Sequence, residues 1–310
     1  MRLFAPPKPR LGAVYHEDYL LSPSAQGRQG LYDVYRPLRI RNRLAKGRKS
    51  SRIQWLTPEP AALEDLERVH SPAYLREASR PAFLAAALQL PHLDPWDEDV
   101  WRSLRTAVGG TILAVRQALA TGLPTANLTG GFHHAGSNRA GGFCVLNDIA
   151  VAVHSIRHDG FRGSIAVIDL DYHHGDGTEE CLVDDQETWT LSLHADAWHD
   201  SGKGEVVHRT VAGDTPAADY LTLISAMLSQ LDQHIQPRLI IYVAGSDPWE
   251  GDALCDMHLS AHTLFRRDVM VRRWAGQHQA ALAILPGGGY GAESWRLTAD
   301  FLLHLRDTDS

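Results

Sequence analysis

The chain has 310 residues, 44% of them hydrophobic and 22% charged, with a formal charge of −7. That balance supports a large buried core and excludes a nucleic-acid binder whose whole surface is basic. The three cysteines, Cys144, Cys181 and Cys255, form no CxxC pair, and no apolar run approaches a membrane span, which excludes a disulfide framework, a paired-thiolate zinc site and a membrane-spanning helix.

In chain order, the opening MRLFAPPKPRLGAVYHEDYL lacks the unbroken apolar core of a signal peptide; with the unpaired cysteines this predicts a cytoplasmic protein. Residues 36–52, RPLRIRNRLAKGRKSSR, hold eight Arg or Lys residues, which fits either a helix with a solvated face or a patch for an acidic partner. Apolar residues at helical spacing predict helices over 97–121, 147–158, 217–236 and 260–277. Short apolar, β-branched runs predict strands over 125–131, 164–171, 188–194, 238–247 and 281–287. Strand and helix alternate, as parallel strands with helical crossovers require, so the fold class is α/β. No linker or fixed-period repeat interrupts the chain, and residues 1–310 read as one domain.

In such sheets functional groups gather beyond the carboxyl ends of the strands. The run IAVIDLD leads straight into YHHGDG, placing Asp169, Asp171, His173, His174 and Asp176 within eight residues. Asp171 and His173 are two apart, so an extended backbone projects both to one side, where a carboxylate and an imidazole can share an ion. Asp247 ends another apolar strand and offers a third ligand; three ligands with an open position describe a catalytic zinc site, although Asp residues here would also serve as helix caps. His133 and His134 follow a short strand between Gly130–Gly131 and Gly141–Gly142, which imply close backbone approach, and Asp169 and Asp176 are available to fix their tautomers. Tyr290 sits in LPGGGYG, either as a phenol aimed at a developing oxyanion or as a packing residue in a glycine turn.

The ordered blocks GGFHHA, GGFCVLNDIAVAV, VIDLDYHHGDGT, AGSDPWEGD and LPGGGYG, with RVHSPAYL upstream, together resemble the zinc-dependent histone deacetylase family. The AGSDPWEGD block is most similar to class IV and bacterial histone deacetylase-like amidohydrolases. The resemblance implies an arginase/deacetylase fold, a single three-layer α/β/α domain around a mostly parallel sheet. It also implies hydrolysis of an acyl amide, with N6-acetyl-lysine in proteins as leading substrate and acetylpolyamines, other small amides or long-chain acyl-lysine as alternatives.

By the same resemblance Asp171, His173 and Asp247 hold one Zn2+, His133 pairs with Asp169, and His134 pairs with Asp176. Tyr290 stabilises the oxyanion. The Gly142 carbonyl accepts from the substrate amide, Phe143 forms one wall of the acyl-lysine tunnel, and Trp198 is the nearest candidate for the other. A structural K+ would lie among Asp169, Asp171, His173, Ser192 and Leu193, and residues 81–95 would form part of the rim. Partners are then an acylated lysine or a small acylated amine, with neither nucleic acid nor membrane. Two competing readings, a binuclear arginase-like hydrolase and a non-catalytic binding module, require further bridging carboxylates or a lost catalytic group, and the sequence has neither.

Overall fold

The run IAVID is buried at every position, as is LIIYV, because each strand is covered by helices on both faces and has no solvent side to which polar residues could alternate. The computed structural model describes residues 8–20, 33–90, 98–195 and 205–308. Eight strands are present among them: β1 Leu11–Val14, β2 Ile53–Leu56, β3 Thr125–Asn127, β4 Ile165–Asp169, β5 Thr188–His194, β6 Glu205–Thr210, β7 Leu239–Val243 and β8 Ala281–Leu285. They form one sheet in the order β2-β1-β3-β8-β7-β4-β5-β6, and every pairing is parallel.

The helices are α1 Arg36–Leu44, α2 Leu63–Leu66, α3 Pro72–Ala78, α4 Pro81–Ala87, α5 Glu98–Thr121, α6 Asp148–His158, α7 Asp176–Leu182, α8 Ala217–Leu231, α9 Ala261–Gln277 and α10 Ser294–Asp307. Strand β7 shows how the layers form: Ile240 and Tyr242 join the core under α8, α9 and α10, while Leu239, Ile241 and Val243 join the opposite core under α5 and α6. The period-two alternation of strand side chains thus fills two apolar layers at once. The result is a single α/β domain in three layers.

All five expected strands form; β5 spans the expected 188–194, and the other four each end earlier than their apolar runs. β3 stops at Asn127 because Gly130 and Gly131 turn the chain with φ of 96° and 85°, a region that glycine enters without a Cβ clash. β4 leaves its ladder at Asp169, which frees Asp171 and His173 to project past the sheet edge. Strands β1, β2 and β6 and helix α10 were not legible as elements: β1 is buried throughout but only four residues long, and β2 and β6, at the two edges of the sheet, mix polar with apolar residues, which weakens the strand signal. The first half of the basic segment is the helix α1, as one of its two readings expects, and residues 48–52 form a short 3-10 turn; Arg36 nevertheless turns inward and donates to the carbonyls of Gly287 (2.8 Å) and Pro286 (3.0 Å).

Candidate active site

Four adjacent central strands, β3, β8, β7 and β4, deliver the expected residues to one place at their carboxyl ends. Beyond β3, the buried Asp148 at the start of α6 accepts from the backbone N–H of Gly131 (3.0 Å) and Phe132 (2.7 Å) and from the Thr111 hydroxyl (2.6 Å). Those bonds shape the loop that presents the two histidines. His133 Nδ1 lies 2.7 Å from Asp169 Oδ2, and His134 Nδ1 lies 2.9 Å from Asp176 Oδ1. A carboxylate only accepts, so each Nδ1 carries the proton and each Nε2 is left facing the site.

The two dyads differ in their surroundings. Burial pulls His133 down, but the charges of Asp169 and Asp171 outweigh it and push His133 up to about 9. Burial and the neighbouring His133 charge lower His134 to about 4 against the opposing pull of Asp176, whose other oxygen is taken by Arg139 at 2.7 Å. Two adjacent imidazoles with pKa values driven apart suit an acid–base pair.

Asp171, His173 and Asp247 converge as the spacing anticipated. His173 Nδ1 lies 3.3 Å from Asp171 Oδ1 and 3.1 Å from Asp247 Oδ2, and both carboxylates are buried. Donors bound tetrahedrally at zinc-like lengths sit about 3.3 Å apart, so the three already have nearly the spacing an ion requires. Two buried carboxylates side by side also call for a cation: burial and the charge of Asp171 raise Asp247 well above the usual carboxylate range. The donor set therefore fits a catalytic divalent metal.

Each ligand is further held by backbone. Asp171 Oδ2 accepts from the N–H of Gly288 (2.6 Å), and Asp247 Oδ1 from that of Tyr172 (3.0 Å). Beneath them, the buried Arg267 spans the carbonyls of Leu170 (3.0 Å) and Gly245 (2.8 Å), and Asp268 lies beside its guanidinium at 2.9 Å.

Tyr290 follows β8. Its N–H donates to Asp252 Oδ2 at 2.6 Å, and its ring stands 6.1 Å from Phe143 and 6.5 Å from His173 between centroids. Burial, then the charges of Asp247 and Asp171, holds its phenol protonated. Phe143 itself has φ of 63°, an uncommon conformation for a residue with a Cβ and one that marks functional loops. The Gly142 carbonyl accepts from the Cys144 thiol at 3.3 Å. A cavity of about 170 Å³ opens beside these groups, with Tyr19, Arg36, Leu104, His133, Phe143 and Tyr290 among its lining residues.

Ser192 stands beside Asp169 in the β4–β5 register, followed by Leu193, and both are buried; the Ser192 hydroxyl lies 2.8 Å from His194 Nδ1. Trp198 and residues 91–95 of the expected rim lie outside the described residues. Sequence reading missed Asp148 and Asp252 as supports although both lie inside the quoted motifs, and it missed Arg139, which falls between two of them, together with Arg267 and Cys255. The Cys255 thiol lies in one group with the donor atoms of His173 and Asp247, all within 4.8 Å, and burial, then Asp247, raises its pKa so strongly that it stays protonated.

Comparison with known proteins agrees with this geometry. The histone deacetylase domain matches residues 33–305. The chain is 34% identical over 226 residues to an uncharacterized protein of Picosynechococcus, covering 73% of this chain and 75% of that one. It is 32% identical over 257 residues to histone deacetylase 2 of Arabidopsis thaliana, covering 80% and 66%. A solved HDAC homolog from Aquifex aeolicus shares the fold with a TM-score of 0.78 at 23% identity, over 98% of this chain and 85% of that one. Since the family match takes in every residue of the site from His133 to Tyr290, the chain belongs to the histone deacetylase family, with bacterial histone deacetylase-like proteins, and is a hydrolase.

Proposed function

We propose that the chain removes the acetyl group from N6-acetyl-lysine in proteins, in the cytoplasm, with one Zn2+ held by Asp171, His173 and Asp247. The observation that carries this reading is the placement of His133 and His134, with pKa values of about 9 and 4, beside a buried three-donor set. Zinc bound there supplies Lewis acidity, polarising the acyl carbonyl and making water a stronger nucleophile.

The residues of the chain do the rest. His134 is neutral at its Nε2 and takes the proton of the attacking water; the Asp176 carboxylate holds its tautomer and stabilises the cation that forms. The Tyr290 hydroxyl donates to the oxygen on which negative charge develops. His134 then passes its proton to the leaving lysine amine, while His133, cationic beside Asp169, adds a fixed positive charge. The Gly142 carbonyl accepts from the substrate amide, and Phe143 flanks the alkyl chain. A structural K+ would sit among Asp169, Asp171, His173, Ser192 and Leu193, a position supported by the pairing of Ser192 with Asp169.

Release of acetate from acetyl-lysine peptides by zinc-loaded protein tests the reading, with long-chain acyl-lysine peptides and acetylated polyamines in parallel. Asp247→Ala should abolish turnover, and Tyr290→Phe should lower kcat by about 10²- to 10³-fold, the usual loss of an oxyanion donor. Preferred turnover of a polyamine or a long acyl chain would replace acetyl-lysine as the substrate, and Tyr290→Phe as active as wild type would remove the oxyanion role.

A further inference from the structure

On the far side of β4 from the cavity, a second group of ligand-type side chains is assembled that the proposed reaction does not use. His174 Nε2 lies 2.9 Å from Glu179 Oε1, and a donor atom from His208 joins them so that all three lie within 4.8 Å of one another. His174 and Glu179 are buried and His208 partly so. His208 Nδ1 is itself shielded from solvent without a hydrogen-bond partner among the described residues. The three come from separate elements: His174 from the loop after β4, Glu179 from α7 and His208 from the edge strand β6.

We propose that His174, Glu179 and His208 form a second metal site, structural in role, for zinc or a neighbouring divalent transition ion. Two imidazoles and a carboxylate suit such ions, whereas calcium and magnesium take shells of oxygen. Tetrahedral donors at zinc-like bond lengths stand about 3.3 Å apart, so the observed spacing needs only small side-chain adjustments to close on an ion. His194 packs on His174 with ring centroids 4.3 Å apart and planes tilted by 30°, yet its nitrogens face the hydroxyls of Ser192 (2.8 Å) and Thr210 (3.4 Å). It packs against the site and leaves the fourth position to water.

The ion's role follows from what it joins. Among the described residues strand β6 is at the edge of the sheet, with β5 as its one ladder neighbour. Glu179 lies on α7, the helix that begins with Asp176. An ion shared by His208 and Glu179 ties the edge strand to that helix, and its binding energy adds to folding stability. The site is distinct from Asp171, His173 and Asp247, and it rests on the catalytic reading only in requiring that the two be counted separately.

The test is metal content per chain, measured on untagged full-length protein that has been stripped of metal, reloaded with zinc and freed of excess. Wild type should hold two ions and Asp247→Ala one. His208→Ala and Glu179→Gln should each lose one relative to wild type, and the Asp247→Ala/His208→Ala double variant should hold none, with thermal unfolding no longer responsive to zinc. Zinc content in folded His208→Ala or Glu179→Gln equal to that of wild type overturns the proposal. So does an Asp247→Ala protein holding no ion, a readout that leaves the proposed ligands untouched. Asp247→Ala with the same zinc content as wild type would instead overturn the reading of the catalytic centre and leave this one standing.

Discussion

Asp176 reaches His134 Nδ1 with one oxygen at 2.9 Å while Arg139 takes the other at 2.7 Å. Arg139 also donates to the His134 carbonyl at 3.0 Å, so imidazole, carboxylate and guanidinium form one closed unit. The carboxylate cannot rotate away without breaking the ion pair.

That closure makes Asp176→Asn an informative substitution. It preserves shape but removes the charge that stabilises a protonated His134. We expect kcat to fall by about 10²- to 10⁴-fold, the range for a general base that loses its orienting carboxylate. The far-UV circular dichroism spectrum should be unchanged. Activity within a factor of two of wild type would remove His134 from the proton-transfer role.

The pH profile of kcat/KM should show two limbs. His134, lowered to about 4, is the free base above that value, so activity falls as pH drops through it. His133, raised to about 9, is cationic through neutrality, so activity falls again as pH rises through that value. A bound divalent cation repels both protons and moves both limbs to lower pH. Asp169→Asn removes the nearest charge holding the proton on His133 and should shift the alkaline limb to lower pH. An unmoved limb would assign it to another group.

Arg267 is buried and holds the carbonyls of Leu170 and Gly245, each within two residues of a proposed metal ligand. Arg267→Met strips both carbonyls of a donor and leaves Asp268 buried with its charge uncompensated. Breaking a buried pair in this way costs about 3–5 kcal/mol. The denaturant midpoint should fall accordingly with little change in slope, and Arg267→Met/Asp268→Leu should regain part of the loss.

Gly288 tests the metal centre from the backbone side. A Cβ there would fall 2.4 Å from Asp247 Oδ2 and 2.8 Å from Asp171 Oδ2, closer than atoms can pack. Gly288→Ala must push both carboxylates out of place, and we expect zinc affinity to fall by about 10- to 100-fold, as when ligand orientation is lost. Competition with a chromogenic chelator would measure it, and unchanged affinity would show that these carboxylates do not bind the ion.

Much of the site was legible in sequence because its chemistry is written in contiguous blocks at the ends of apolar runs. Asp171 and His173 lie within three residues of chain, and His133 and His134 are adjacent; a buried strand that stops at a cluster of charged residues states locally that those charges meet at a sheet edge. The five central strands were readable for the same reason, since burial on both faces demands an apolar run.

What the tertiary structure alone decided is which ends meet. Asp247 reaches His173 across 74 residues because β7 pairs with β4, a sheet order that no local pattern encodes. Arg267 looks like any other arginine of a helix until α9 docks beneath the site, and His208 lies in a flanking strand too short and polar to be recognised. Local sequence determines which residues are extended, helical or apolar; long-range packing determines which of them become neighbours, and in this protein both the support of Asp171, His173 and Asp247 and the assembly of His174, Glu179 and His208 depend on that choice.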